Sequence, residues 1–331
     1  LAARGGAGAS GVSIGALAGG FLTAAWGWPA VFYVNVVLAG IAIIAAFFVI
    51  PRDPQRHEKR SFDLPGALTV TIGATALVFA LVEGPEIGWG ATSVVWALAL
   101  SAIFLIAFAV IEARSRDPLM PLRLFTNRSL VAGMTITFLY MGTFGALPYF
   151  LTVLFQNVQG LTALQTGWAF LVPSIAIAVG TQIGERLATR LSTRTTLIVG
   201  MIVGAVGTAL LVPGSNADSG YLAIVPGLIV SGIGQGIVWT GMWIAAAFGV
   251  HHDEQGVASG MASTTLSVGN AIGLAVLIAL ANRHTGGLEG DALRAAVAEG
   301  TQLAFWLAAA GILVSLIAAL ALPAKAKAAA E

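Results

Sequence analysis

Cysteine is missing from this sequence of 331 residues, and charged residues are scarce. The absence of cysteine excludes disulfide bonds and thiolate chemistry, and it leaves the redox compartment undetermined. Only 9% of the residues are charged, whereas 57% are hydrophobic and the mean hydropathy is +0.90. A soluble domain of this length needs more charge to solvate its surface, so the composition predicts a protein that lies in a lipid bilayer.

Ten apolar stretches contain no Asp, Glu, Lys or Arg, and each is long enough for a bilayer, which a helix of about 20 residues spans. They cover residues 5–26, 29–50, 64–82, 91–111, 130–154, 164–184, 195–212, 221–250, 256–281 and 301–322. The charged side chains fall in the connections or at the two ends. This pattern predicts an all-α polytopic membrane protein with ten transmembrane helices.

Basic residues are distributed unevenly between the two sides of the predicted bundle. If the first residue lies inside, only Arg283 and Arg294 of the 16 Lys and Arg residues face outward. The inward residues are Arg4, Arg52, Arg56, Lys59, Arg60, Arg114, Arg116, Arg123, Arg128, Arg186, Arg190, Arg194, Lys325 and Lys327. Because basic loops stay cytoplasmic, we predict a multi-pass protein of the plasma membrane with a cytoplasmic C-terminus. We also expect a short surface helix at 291–299, in the outward loop 282–300.

Acidic residues are absent from the middle of every predicted span, where a carboxylate would mark a proton relay. Glu83 and Glu112 lie at span ends, and we expect solvent to reach both. All 4 histidines lie in connections, so no imidazole base is available within a span. The sequence therefore predicts no enzyme, no cofactor, no metal centre and no nucleic-acid partner.

A ladder of glycines lies in the first predicted span, at Gly11, Gly15, Gly19 and Gly20. Glycines spaced by four residues share one helical face and let another backbone approach closely. Taken alone, these residues favour static packing over a moving contact.

The span 130–154 combines several aromatic residues with Gly142, Gly145 and Pro148. Such interruptions predict a bend beside a cavity, and aromatic faces bind flat, lipophilic or cationic ligands. The candidate cavity residues, including some from later spans, are Phe138, Tyr140, Phe144, Trp168, Gln235, Trp239, Trp243 and Asn270. For each residue taken singly, a position facing lipid or the helix core is the alternative.

The glycine ladder and several later segments resemble a known family. Residues 11–20 follow the antiporter pattern G-x-x-x-G-(P)-x-x-G-G of the major facilitator superfamily, with Ala16 in the place of the usual proline. Gly184, Arg190 and Arg194 are similar to its repeated cytoplasmic loop motif, in which Thr189 replaces the acid. Further segments resemble the fourteen-span drug:proton antiporters of the EmrB/QacA type, at residues 26–35, 121–129, 148–151, 165–167 and 171–173.

The resemblance implies the major facilitator fold and a chain that begins near span five. Residues 1–50 would then be the last two spans of the N-terminal bundle, and 51–128 two linker spans with basic cytoplasmic loops. Residues 129–323 would form the C-terminal six-helix bundle, and 324–331 a cytoplasmic tail.

The resemblance also implies proton-coupled efflux of lipophilic or cationic drugs by alternating access. In this reading the glycine ladder is a moving contact, and the acid that couples protons lies in upstream helices. Two alternatives remain open. An exporter of an endogenous metabolite fits the aromatic lining nearly as well. The second alternative is a truncated remnant that does not transport, since a bundle that lacks four helices leaves the surface that would contact them uncovered.

Overall fold

The computed structural model describes residues 15, 18–49, 63–115, 118, 120, 122–248, 250 and 254–322. Every regular element within these ranges is a helix, and residues 18–26 form a helical segment before α1. In chain order the helices are α1 (Pro29–Val49), α2 (Leu64–Ile87), α3 (Thr92–Arg114), α4 (Arg128–Thr143), α5 (Leu147–Val153), α6 (Ala163–Ala169), α7 (Leu171–Arg190), α8 (Thr193–Ala209), α9 (Tyr221–Ala247), α10 (Gln255–Ala281) and α11 (Gly290–Leu320).

Nine helical units in the described ranges are long and apolar enough to cross a membrane. They coincide with nine of the predicted spans, so the all-α polytopic fold is confirmed. The remaining predicted span, 5–26, lies partly outside the described residues.

Side-chain caps begin several helices where the polar connections end. Asn127 accepts hydrogen bonds from the backbone amides of Ser129 and Leu130, at 3.0 and 3.2 Å, at the start of α4. Asp63 accepts one from the amide of Gly66, at 2.8 Å, at the start of α2. These oxygens satisfy amides that have no partner within the helix, so they help to fix where each span begins.

The span that begins with α4 is interrupted. α4 ends at Thr143, a 3₁₀ segment follows at Phe144–Ala146, and α5 continues into the π-helical residues Leu154–Val158. Pro148 is the second residue of α5, where its missing amide proton is tolerated. The interruption predicted from Gly145 and Pro148 is confirmed.

Glycines let the backbone of α9 lie in direct contact with the backbones of α7 and α8. A Cβ atom at Gly180 of α7 would lie 2.2 Å from the carbonyl oxygen of Ile233. A Cβ atom at Gly234 of α9 would lie 2.2 Å from the amide nitrogen of Gly204 in α8. Real Cβ contacts are essentially never shorter than 3.0 Å, so a larger residue at either position would force the helices apart.

The same kind of contact joins α4 and α10. A Cβ atom at Gly273 would lie 2.2 Å from the Cα of Gly142, and one at Gly269 would lie 2.4 Å from the carbonyl oxygen of Phe138. α4 also packs against α9 and α11, and α11 packs against α8. The spans from α4 to α11 thus enclose a main core, which includes Phe144 and Phe305, and a smaller cluster, which includes Leu130 and Met261.

The first three helices bury few of their residues. α2 and α3 form a helical hairpin, and α2 packs against α10. α1 contains no buried residue within the described part of the chain.

Hydrogen bonds join the connections at two opposite ends of the bundle. At one end, Arg123 forms an ion pair with Glu254, and the Asn127 side chain donates to the carbonyl of Phe248 at 3.3 Å. At the other end, Arg294 donates to the carbonyls of Val158 and Ala217, at 2.6 and 2.7 Å. We call the first the basic end, because its described arginines are Arg114, Arg123, Arg128, Arg186, Arg190 and Arg194.

The predicted helix at 291–299 is present and mostly exposed, but it is not a short helix of its own. These residues belong to α11, which runs without a break from Gly290 to Leu320. Gly300 allows this continuity, because a Cβ atom there would lie 2.2 Å from the carbonyl oxygen of Ala281. Arg294 holds the first turns of α11 against the neighbouring loops through the two bonds given above.

The prediction that solvent reaches Glu112 is wrong, since this residue is only 3% exposed. One carboxylate oxygen, Oε2, accepts a hydrogen bond from the amide of Met120 at 2.9 Å. The other, Oε1, lies beside Gly66, at 3.0 Å from the position of a Cβ atom there. The end of α3 therefore buries its carboxylate against the first turn of α2.

The contact between α4 and α10 makes a direct prediction. Gly273→Ala should lower the thermal midpoint of the purified protein, because its methyl group overlaps Gly142, and overpacking costs about 1–3 kcal/mol. Gly260→Ala is the matched control on α10, since no atom lies within 4 Å of a Cβ atom there. Equal midpoints for the two variants would contradict close packing at Gly273.

Candidate functional site

An aromatic cluster lies between α4 and α9. The ring centroid of Tyr140 is 5.3 Å from that of Phe144 and 5.7 Å from that of Trp239, and Trp239 is 5.9 Å from Trp243. Gln235 precedes Trp239 by one helical turn, and its side chain lies near that of Tyr140. The structure therefore brings five of the predicted cavity residues together.

The cluster has a buried side and an accessible side. Phe144 is 1% exposed, and its Cζ lies 2.3 Å from where a Cβ atom at Gly204 would be. Tyr140 is buried as well, whereas Trp239 is 38% exposed. Phe144 thus packs the cluster against the core, whereas the indole of Trp239 is open to contact from outside the core. Indole faces attract cations through the ring quadrupole.

Asn270 of α10 provides a polar group near the interrupted span. Its Oδ1 is buried and has no hydrogen-bond partner, and it lies 3.2 Å from the position of a Cβ atom at Gly145. A buried acceptor left unpaired costs about 1–3 kcal/mol. Asn270 therefore keeps a hydrogen-bond acceptor that no donor in the described part of the chain uses.

Phe138 lies on a different side of α4 from Tyr140. It lines an apolar cavity of about 370 Å³ between the α2–α3 hairpin, α4 and α10. Other lining residues are Val70, Phe108, Met120, Met134 and Met261. Sequence reasoning missed this cavity, because its walls come from distant segments that no shared motif connects. Trp168 of α6 is 57% exposed and lies outside the aromatic cluster.

The glycine ladder meets the later spans at one described position. A Cβ atom at Gly20 would lie 2.9 Å from the carbonyl oxygen of Ala163 and 3.2 Å from the Cα of Gly167, both in α6. Gly15 and Gly19 have no such neighbour within 4 Å, and Gly11 lies outside the described residues. The helical segment 18–26 therefore touches the six-span bundle through Gly20.

The residues of the predicted loop motif lie at the basic end. Gly184 is buried in α7, where a Cβ atom would lie 3.0 Å from the Cα of Ile237. Arg190 is the exposed last residue of α7, and Arg194 is half-buried in the first turn of α8. Thr189, which replaces the acid of the motif, donates its hydroxyl to backbone carbonyls of its own helix.

Spanning helices packed closely at glycines, an interrupted span and an aromatic cluster beside it define a polytopic integral membrane protein. The sequence model of the Major Facilitator Superfamily matches residues 1–274, and the chain belongs to this family. Members of the family are membrane transporters and are generally not enzymes.

Several named relatives resemble the chain over most of its length. It is 30% identical over 268 residues to the multidrug resistance protein Stp of Mycobacterium tuberculosis. The aligned region covers 81% of this chain and 49% of Stp. The chain is 32% identical over 275 residues to the puromycin resistance protein pur8 of Streptomyces alboniger, and the aligned region covers 81% of this chain and 53% of pur8. The cephamycin export protein CmcT of Amycolatopsis lactamdurans is 32% identical over 281 residues, and the aligned region covers 82% of this chain and 57% of CmcT. The chain spans about half the length of these relatives.

The contact at Gly20 is testable by cross-linking, because the chain has no cysteine of its own. The double variant Gly20→Cys with Gly167→Cys should form a disulfide on mild oxidation, since the residue-20 Cβ would lie 3.2 Å from the Cα of residue 167. Formation is measured as loss of thiol labelling in membranes. The pair Gly19→Cys with Gly167→Cys is the control. Equal cross-linking of both pairs would contradict the helix face that the structure assigns.

Proposed function

We propose that this chain is part of a secondary active transporter that exports lipophilic, often cationic, compounds in exchange for protons. The observation that carries the proposal is the aromatic cluster between α4 and α9, with the partly exposed indole of Trp239 at its accessible side. Trp and Tyr rings bind such compounds without a specific hydrogen-bond pattern. The names of the relatives, which describe resistance to or export of different antibiotics, support an export function.

The interrupted span supports alternating access. The 3₁₀ segment Phe144–Ala146 follows directly on Tyr140 and its neighbours, so a change of helix direction there alters how the cluster is exposed. Gly142 and Gly273 meet without interlocking side chains, which allows α4 and α10 to slide. In the proposed cycle the glycine ladder, through Gly20, is the moving contact with α6.

Proton coupling is assigned to helices that precede these spans in the whole transporter. Asp63, Glu83, Glu112 and Glu185 lie near helix ends, and Glu299 is exposed in the first third of α11. A relay within the membrane needs a carboxylate that water and substrate reach in turn. Partners of the whole protein would therefore be a lipophilic substrate, protons and the bilayer.

We further propose a fourteen-span arrangement in which the chain supplies the fifth to the fourteenth spans. Residues 1–50 would belong to the N-terminal bundle, 51–128 to a linker pair, 129–323 to the C-terminal bundle and 324–331 to a tail. The pairing of α2 with α3, and the main core that the later spans share, support this division. The arginines of the basic end support a cytoplasmic position for that end in the plasma membrane.

The aromatic cluster makes a transport prediction. In proteoliposomes of the whole transporter, an imposed pH gradient should drive tetraphenylphosphonium against its gradient. Trp239→Ala should raise the apparent Kd for this cation about fivefold to thirtyfold, as expected for a lost cation–π contact. Trp306→Ala is the matched control, because Trp306 is 55% exposed on α11.

The outcomes separate the alternatives. No pH-driven movement by the unsubstituted transporter would contradict the antiport proposal. Binding without movement would favour a remnant that has lost transport. Equal effects of Trp239→Ala and Trp306→Ala on the apparent Kd would contradict binding of the cation at the aromatic cluster.

Asn270 gives an independent prediction. Asn270→Leu should leave the thermal midpoint unchanged or raised, because it removes an unpaired buried oxygen. The same change should weaken binding of a lipophilic amine with a free N–H about threefold to tenfold, the worth of one hydrogen bond. Ser267→Ala, an exposed change on α10, is the control. A lower midpoint with unchanged binding would assign Asn270 a structural role.

A further inference from the structure

An apolar groove runs between α4 and α11 on the outer surface at the basic end. It has a volume of about 680 Å³ and is bounded at its end by Phe125 and Arg128. Its side walls include Val131, Thr135 and Leu139 from α4, and Val314, Ile317 and Ala318 from α11. Ile317 is 70% exposed, so the groove opens outward from the bundle.

A second groove runs along the other flank of α4. It has a volume of about 290 Å³, shares Phe125, Val131 and Thr135 with the first groove, and reaches Phe138 and Thr265. Residues 131 and 135 lie one turn apart on the same face of α4, so they form a ridge with an apolar channel on either side. Two channels that start beside one ridge suit the two acyl chains of a single phospholipid.

The dimensions agree with one leaflet of a bilayer. From Arg128 to Leu139 the helix advances about 16 Å, at 1.5 Å per residue. Half of a bilayer hydrocarbon core is about 15 Å thick. The groove therefore places a charged side chain at headgroup level and apolar walls along the depth of one leaflet.

Arg128 supplies an uncompensated positive charge at the head of the groove. It is the exposed first residue of α4, and no carboxylate in the described part of the chain forms an ion pair with it. Arg123, five residues earlier, is neutralised by Glu254. A guanidinium binds phosphate with two parallel hydrogen bonds, and basic pockets between spanning helices attract anionic headgroups.

We propose that these two grooves bind one diacyl phospholipid with an anionic headgroup, whose phosphate pairs with Arg128. The acyl chains lie on either side of the ridge formed by Val131 and Thr135. A zwitterionic lipid fits the grooves equally well, but its headgroup carries a cation that the arginine repels. The site is separate from the aromatic cluster, so it stands whether or not the transport proposal does.

The test is native mass spectrometry of the purified chain, delipidated and then mixed with phosphatidylglycerol and phosphatidylcholine of identical acyl chains. The chain should retain one phosphatidylglycerol about fivefold more than phosphatidylcholine, which is the contribution of one arginine near the membrane surface. Arg128→Gln should abolish this preference. Arg114→Gln, an exposed arginine at the end of α3, should keep it.

A second variant tests the apolar part without changing charge. Ala318→Phe fills the larger groove and should reduce retention of both lipids, while circular dichroism confirms that the helices remain. Four results would overturn the proposal. They are equal retention of the two lipids, a preference that survives Arg128→Gln, an equal loss in Arg114→Gln, and lysophosphatidylglycerol bound as well as the diacyl lipid.

Discussion

Close backbone contact at glycines is the interaction on which the rest of this structure depends. In a bilayer, helices gain little hydrophobic energy by leaving lipid for each other, so close packing has to hold them together. Gly180 and Gly234 bring α9 to its neighbours, and Gly273 brings α10 to α4. Gly133 does the same between α4 and α9, because a Cβ atom there would lie 2.7 Å from the amide nitrogen of Ala246. At this separation the aromatic rings of α4 and α9 meet.

Hydropathy and charge were sufficient to predict the helices, because each apolar stretch ends at a polar or proline-containing connection. The interruption after α4 was also predictable, since Gly145 and Pro148 act locally. Glu112 was not, because its burial depends on the docking of α3 against Gly66, far away in sequence. The length of α11 depends in the same way on Gly300 passing the end of α10.

The candidate site was predictable to the extent that it follows helical spacing. Gln235, Trp239 and Trp243 are four residues apart, so helical geometry alone places them on one face of α9. Trp168 lies in the short helix α6, outside that cluster, and chemical type alone could not indicate this. The lipid groove at Arg128 and the cavity at Phe138 form only where distant helices come together. The methionine and valine residues that line them form no sequence motif that would indicate a binding site.

The central claim is that the face shared by α4 and α9 binds lipophilic cations, and photolabelling tests it most directly. A photoreactive lipophilic cation is bound to the transporter in lipid nanodiscs, with and without excess unlabelled cation, and the labelled peptides are identified by mass spectrometry. We expect labelling within residues 138–145 and 235–243 that the competitor removes. Labelling confined to α1 or to the exposed face of α11 around Trp306, and insensitive to competition, would contradict it.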